Sequence, residues 1–194
     1  MLNDAGLDLI FRNARTHAAW HDHTVSETLL RAVYELTKMG PTSANTSPLR
    51  VVFVVSKAGK EKLAPALMEG NREKTMTAPV TAIFGHDLAF YEHMATLFPH
   101  NPDARAWFEG KPSVIEETAF RNGTLQAAYF MMAARALGLD CGPMSGFDAE
   151  RVNDDFFAGT AVKTNFLCNI GYGNPSQLFP RSPRFTFDDV CQIA

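Results

Sequence analysis

After Thr24-Val25-Ser26-Glu27, where a hydroxyl stands three residues before a carboxylate, Leu29, Leu30, Val33, Leu36 and Met39 recur at helical intervals. The pattern predicts a capped helix with one apolar face over residues 26–39. Gly40-Pro41 ends it. The polar loop Thr42-Ser43-Ala44-Asn45-Thr46-Ser47-Pro48 then leads into Val51-Val52-Phe53-Val54-Val55, which is short, β-branched and apolar, as a buried strand should be. A second helix is predicted over residues 60–70, and a second buried strand at Val80-Thr81-Ala82-Ile83-Phe84, entered through Pro79. From Phe90 to Lys111 the period is lost. Phe90, Tyr91, Phe98, Trp107 and Phe108 alternate there with Pro99, Pro102 and charges, which predicts an irregular or short-helical insertion. Residues 114–137 are the longest helical candidate, and Ala127-Ala128-Tyr129-Phe130-Met131-Met132-Ala133-Ala134 is apolar on every side, as in a central buried helix. Gly138 stops it. Gly142-Pro143-Met144-Ser145-Gly146 reads as a tight loop, residues 148–157 as a short helix, and Phe166-Leu167-Cys168-Asn169-Ile170 as a third strand. Strands separated by helices, without internal repeats, indicate a mixed three-layer domain.

Composition narrows the picture. A chain of 194 residues, 46% hydrophobic, has the size of one compact domain spanning residues 1–194. Its 18 Lys+Arg against 21 Asp+Glu give a formal charge of -3 without a basic run, so nucleic acid is not an expected partner. Met1 to Asp8 is acidic, with no cationic segment before an apolar one, and nowhere do about 18 apolar residues run together, so neither a signal peptide nor a membrane partner is expected. Cys141, Cys168 and Cys191 are odd in number and widely spaced, as expected of reduced thiols in a cytoplasmic protein.

The candidate chemistry lies in separate places along the chain. Arg12 and Arg15 near the start and Arg181 and Arg184 near the finish together suit one phosphate, whose oxygens pair bidentately with planar guanidinium donors. Either cluster alone would equally fit a solvated surface. The Ser43–Pro48 loop offers hydroxyls and an amide to whatever lies at that end of the sheet. Lys74, with Asn71 before it, suits an anion that develops on a bound ring; a solvated lysine at a helix end fits the same residues. Gly171-Tyr172-Gly173-Asn174-Pro175-Ser176 lacks the third glycine of a dinucleotide fingerprint. His21-Asp22-His23 has no partner set at metal-ligand spacing, so no metal is expected. Neither the nucleophile-elbow nor the P-loop pattern occurs.

In this order the pieces resemble the flavin-dependent nitroreductase family, over nearly the whole chain from Arg15 to Arg184. The resemblance is carried by Arg15-Thr16-His17, by Pro41-Thr42-Ser43-Ala44-Asn45-Thr46-Ser47-Pro48, by Asn71 with Lys74, by Pro143-Met144-Ser145-Gly146-Phe147, and by Arg181 with Arg184. More narrowly, Ala14-Arg15-Thr16-His17 followed by Trp20, together with Gly40-Pro41-Thr42-Ser43-Ala44-Asn45, looks like the malonic semialdehyde reductase branch of that family. One departure is that the serine common just after the family's N-terminal arginine pair is missing, which leaves Arg12 or Arg15 as the principal phosphate ligand.

The resemblance implies an α+β fold, with a central mixed, mainly antiparallel sheet flanked by helices and a long buried central helix. It also implies FMN as cofactor, NADH or NADPH as electron donor, and a homodimer with flavin sites at the subunit interface. Arg15, His17, Arg181 and Arg184 would hold the phosphate, with Thr16 and Ser43 as polar neighbours. Asn45 and Asn71 would address the ring edge or the ribityl chain, Lys74 the charge at N1 and O2, and the amides of Ser145 and Gly146, in the loop with Pro143 and Met144, would face N5 and O4. The acceptor would be an aldehyde, a nitro compound or a quinone. A flavin-binding protein without reductase activity, and a domain without cofactor, are the readings of another class. Residues 90–112 would form a mobile aromatic cover over the flavin; a satellite cluster packed permanently on the domain would carry the same residues.

Overall fold

The computed structural model describes residues 1–194. In chain order the helices and strands are α1 (Asp4–Leu7), α2 (Glu27–Thr37), β1 (Leu49–Val54), α3 (Lys57–Leu63), α4 (Glu69–Thr77), β2 (Val80–Asp87), α5 (Met94–Leu97), α6 (Pro112–Ala136), β3 (Asp140–Met144), α7 (Ala149–Phe156), β4 (Val162–Gly171) and α8 (Phe187–Val190). The strands form one sheet in the order β1-β2-β4-β3, every neighbouring pair antiparallel. β2 is buried along all 8 residues, which places it with β4 at the centre. The expectation of a mixed sheet is corrected to this extent: the parallel contact is a single isolated bridge between Thr16 and Cys141, outside the four strands.

Two predicted elements are redrawn. The helix over 60–70 breaks at Pro65 into α3, a 3-10 turn at Ala64–Ala66 and the separate helix α4, because proline lacks the N–H that would continue the ladder. Asn71 and Lys74 therefore lie inside α4 rather than after a helix. The loop predicted at 142–146 begins as strand β3, with Gly142 opposite Asn169 and Pro143 opposite Cys168. β3 has only β4 as a neighbour, and an edge strand tolerates a residue that cannot donate.

One face of the sheet packs on α6. Phe130 is fully buried, its ring edge-on to Phe84 at 5.1 Å between centroids and 5.8 Å from Phe53. Each such ring contributes about 1.5–3 kcal/mol by leaving water. Gly123, Ala127 and Ala134 keep the helix close; a Cβ on Gly123 would stand 2.9 Å from that of His86. The expectation of a helix buried all round is corrected: Ala119, Asn122, Gly123, Gln126, Ala127, Phe130, Ala133 and Ala134 form one buried stripe, while Leu125 and Tyr129 are exposed. Apolar residues on its other side, Leu125 and Tyr129 among them, stand outside this chain's own core. No helix is long and apolar enough to cross a membrane, and the three cysteines are free thiols.

The opposite face of the sheet packs on α3 and α7 through Leu63, Ile83, Val152 and Leu167. Lys60 of α3 is buried beside this cluster. Its ammonium has no carboxylate partner and donates to the Thr75 carbonyl at 2.8 Å and to Thr81 Oγ1 at 2.5 Å. Burial lowers its pKa from 10.5 to about 7. Between those values the unfolded chain binds the proton and the folded chain does not, so this group makes stability rise with pH from about 7 to 10.5. In Lys60→Met that rise should be absent from urea-denaturation free energies measured across the window; an identical pH slope in both proteins would contradict the assignment.

Candidate functional site

The outer edge of β3 is covered by the N-terminal segment. The His17 amide donates to the Cys141 carbonyl at 3.1 Å, that of His21 to Tyr172 at 2.8 Å, and that of Asn174 to Ala19 at 2.9 Å. The fit is close, since a Cβ on Gly142 would lie 2.4 Å from the His17 carbonyl oxygen. This contact brings the two ends of the chain together. A cavity of about 400 Å³ opens there, lined by Arg15, Thr16, Arg181 and Arg184, with Arg135 from the end of α6. No carboxylate lines it. Arg15 donates to the Phe179 carbonyl and Arg181 to those of Arg12 and Ala14, which ties tail to N-terminus, while Arg184 donates within the tail to Ser182 and Pro183; all three keep other donors free.

Arg12 stands outside this cavity, pairing with Asp4 and Asp8 at 3.0 and 3.1 Å. Of the two arginines left open by the sequence, Arg15 is the one that faces the cluster. His17 also stands back from it. Its ring is 6% exposed, packs against Gly173, and has Nε2 3.5 Å from Asp140 Oδ1. Burial pushes its pKa below the usual value, against the pull of Asp140, so the ring is neutral at pH 7. Sequence reasoning missed Arg135. A lone arginine closing an apolar helix carries no local signal, yet its Nε is buried without a partner, and its side chain makes no other hydrogen bond.

Farther along the same edge, α4 lies beside the turn that follows β3. The Asn71 amide group donates to the Gly146 carbonyl at 2.7 Å, and the Met68 amide to the same oxygen at 3.1 Å. Gly146 is required here, because a Cβ would sit 2.5 Å from Asn71 Nδ2. The amides of Ser145 and Gly146 donate to no protein acceptor, and the half-buried Lys74 ammonium has neither a hydrogen bond nor an ion pair. Pro143 and Met144 belong to β3 and set the start of this turn. Donors of both kinds, without protein partners, thus belong to the elements at this edge.

Ser43 and Asn45 are elsewhere. Their loop is strained, with Ala44, Asn45 and Ser47 at φ of 47°, 53° and 43°, a region that costs a non-glycine residue about 1–2 kcal/mol. Polar groups buried on α6 hold it: Asn122 accepts from the Ser43 amide at 2.8 Å and Gln126 from that of Leu49 at 3.0 Å. Asn45 donates to the Leu97 carbonyl at 2.8 Å, joining the loop to the insertion. The insertion has its own small core of Phe90, Met94, Ala104 and Phe108 packed on Ala119, while Trp107 remains 44% exposed beside Phe98. These rings form a small packed cluster with an open aromatic edge.

A carboxylate-free basic cavity, an unpaired lysine and free loop amides lie along one edge of the α+β sheet. The chain belongs to the nitroreductase family, whose model matches residues 12–172. A Burkholderia lata protein named "Putative NADH dehydrogenase/NAD(P)H nitroreductase" is 60% identical over 192 residues, 99% of this chain and 98% of its own. A Stenotrophomonas maltophilia protein of the same description is 58% identical over 193 residues, 100% and 98% of the two chains. The crystal structure of a Bacillus subtilis nitroreductase superposes with a TM-score of 0.91 at 22% identity, covering 99% of this chain and 100% of that one. An Exiguobacterium sibiricum nitroreductase solved with FMN gives 0.85 at 18% identity, covering 100% and 99%. At these identities the two structures show the fold.

Proposed function

We propose that this chain is an FMN-dependent oxidoreductase that takes electrons from NADH or NADPH. The observation that carries the reading is the carboxylate-free cluster of Arg15, Arg135, Arg181 and Arg184 on the same sheet edge that, farther along, carries the unpaired Lys74 ammonium and the free Ser145 and Gly146 amides. These residues fit FMN. A phosphate monoester carries about -1.5 to -2 at neutral pH and suits several guanidinium donors, while an orphaned buried donor such as Arg135 Nε gains an acceptor. When bound, FMN supplies the reversible hydride chemistry. The protein's part is to bind and orient. The arginines and Thr16 anchor the phosphate, Asn71 fixes the Gly146 turn, the Ser145 and Gly146 amides donate to the polar ring edge without adding a competing acid, and Lys74 places a cation where negative charge gathers on reduction.

The acceptor we assign is malonic semialdehyde, reduced to 3-hydroxypropanoate in pyrimidine breakdown, on the strength of the Ala14-Arg15-Thr16-His17 and Trp20 motif and the Gly40–Asn45 segment. The names of the relatives favour a second reading, a broader nitro or quinone reductase. Purified protein should be yellow, should bleach anaerobically with NAD(P)H, and should turn over malonic semialdehyde with a higher kcat/KM than a nitroarene or a quinone. Faster turnover of the nitroarene or quinone would select the second reading, and persistent yellow colour would leave a flavin-binding protein. Arg15→Ala and Arg184→Ala should each weaken FMN binding about tenfold or more with riboflavin binding unchanged, since each removes a charge-assisted donor. Equal FMN affinity in parent and variants would refute the phosphate assignment.

The reading includes a homodimer. The Ser43–Pro48 loop adjoins the Asp87 end of β2, where the Asp87 amide donates to the Pro48 carbonyl, and it leads into edge strand β1. Lys74 adjoins the Val80 end and opposite edge strand β3. Strand rise and spacing put about 25 Å along the sheet and about 14 Å across it between the two. One chain cannot bring Asn45 and Lys74 to one ring, whereas a second copy can. The exposed Tyr34, Leu36, Met39, Leu125 and Tyr129, and the tail residues Phe185, Phe187 and Ile193, supply apolar surface for it. Co-expressed Asn45→Ala and Lys74→Ala chains, purified through two tags as a mixed dimer, should regain activity that both parents lack, because a two-fold dimer then contains one intact site. No recovery would place both residues in sites of a single chain.

Residues 90–112 complete the proposal as the cover of the reactive face, anchored by Phe90 and Met94 and open at Phe98 and Trp107. Trp107→Ala should alter KM and acceptor preference with thermal stability and bound FMN preserved. A large fall in melting temperature with unchanged preference would make the ring structural.

A further inference from the structure

The buried Lys60 has no place in the scheme above, yet its partners lead directly to Lys74. α4 ends at Thr77, and the last carbonyls of a helix have no partner within it. Here they are met from outside: Lys74 O accepts from Trp20 Nε1 and from Asn169 Nδ2, both at 3.1 Å, and Thr75 O accepts from Lys60 Nζ at 2.8 Å. Lys60 also donates to Thr81 Oγ1, which donates on to Asn169 Oδ1 at 2.7 Å, and Asn169 Nδ2 reaches Thr75 Oγ1 at 3.2 Å. Lys60, Thr75, Thr81 and Asn169 are all buried. The chain of bonds runs from α3 through β2 and β4 to the last turn of α4; its links among Lys60, Thr81, Asn169 and Thr75 are buried, and those that reach the Lys74 carbonyl are part-buried. Burying a lysine without a carboxylate costs stability and drives its Nζ toward the neutral amine, which still donates both bonds.

We propose that Lys60 is a positioning residue for the flavin's charged ring edge, clamping the last turn of α4 through Thr75, Thr81 and Asn169 so that the Lys74 ammonium is held in one place. The inference rests on the reading that Lys74 faces the ring of bound FMN. Its test is the reduction potential of FMN bound to the whole protein, measured by equilibrium dye titration for the parent, Lys74→Ala, Lys60→Met, Thr81→Val and the Thr81→Val/Lys74→Ala pair. Lys74→Ala should lower the potential. Thr81→Val, which changes no charge and keeps the side-chain volume, should lower it in the same direction by a smaller amount, and should add nothing in the Lys74→Ala background. Lys60→Met should act at least as strongly as Thr81→Val. If Lys60→Met does not fold, the Thr81→Val series decides alone. A shift in Lys74→Ala with none in Thr81→Val overturns the clamp and leaves the ring-edge reading standing. An unchanged potential in Lys74→Ala removes that reading and the clamp with it. Equal shifts from Thr81→Val in both backgrounds would show a general structural effect and also overturn the clamp.

Discussion

The packing of α6 against one face of the antiparallel sheet is the constraint on which the rest of the structure depends. Phe130 wedged against Phe84 and Phe53 fixes the distance between helix and sheet, and the small residues Gly123, Ala127 and Ala134 allow the approach. The same helix supplies Asn122 and Gln126, whose buried amides hold the Ser43–Pro48 loop, and Arg135, which enters the basic cavity. A shift of α6 along the sheet would therefore disturb both edges together. Core packing and site geometry here share the same side chains.

The sheet then separates two groups of polar residues. Its β3 edge carries the arginine cluster and the α4 donors, while the strained polar loop adjoins its β1 edge. An antiparallel sheet in fixed register is a stiff spacer, so these groups keep their separation in every copy of the chain. The two-chain site proposed above would use both edges, and the apolar face that α6 leaves exposed would serve the contact that creates it. The strain at Ala44, Asn45 and Ser47 belongs to this picture, because a loop held in a costly conformation by Asn122 and Gln126 presents its polar groups preformed.

Burial divides the titratable groups into two sets. Lys74 is half-buried and unpaired, whereas Lys60 is buried and satisfied only by neutral oxygens, so two lysines fourteen positions apart have opposite environments. His17 follows the second pattern. Its neutral ring is packed between Asp140 and Gly173 and supports the segment that carries Arg15 and Thr16. Motif position alone treats all such residues as ligands; depth decides which of them meet solvent and ligand.

The amino-acid sequence by itself determined the alternation of helices and strands, the long α6, the insertion at 90–112 and the family, because these rest on local periodicity, punctuating Gly and Pro, and the order of short motifs. It also grouped Arg15, Arg181 and Arg184, which lie at opposite ends of the chain, and the fold brings these three to one cavity. Tertiary structure decided what depends on long-range pairing. Gly142-Pro143-Met144 became an edge strand because β4 was beside it, Pro65 divided one expected helix so that Asn71 and Lys74 fell within α4, Arg135 joined the cavity from a helix whose pattern shows only packing, and Arg12 turned away to Asp4 and Asp8. The separation of Asn45 from Lys74 had the same origin. Spacing along a chain sets local conformation, whereas distance across a sheet is set by strand order and register, which arise only when remote segments pair.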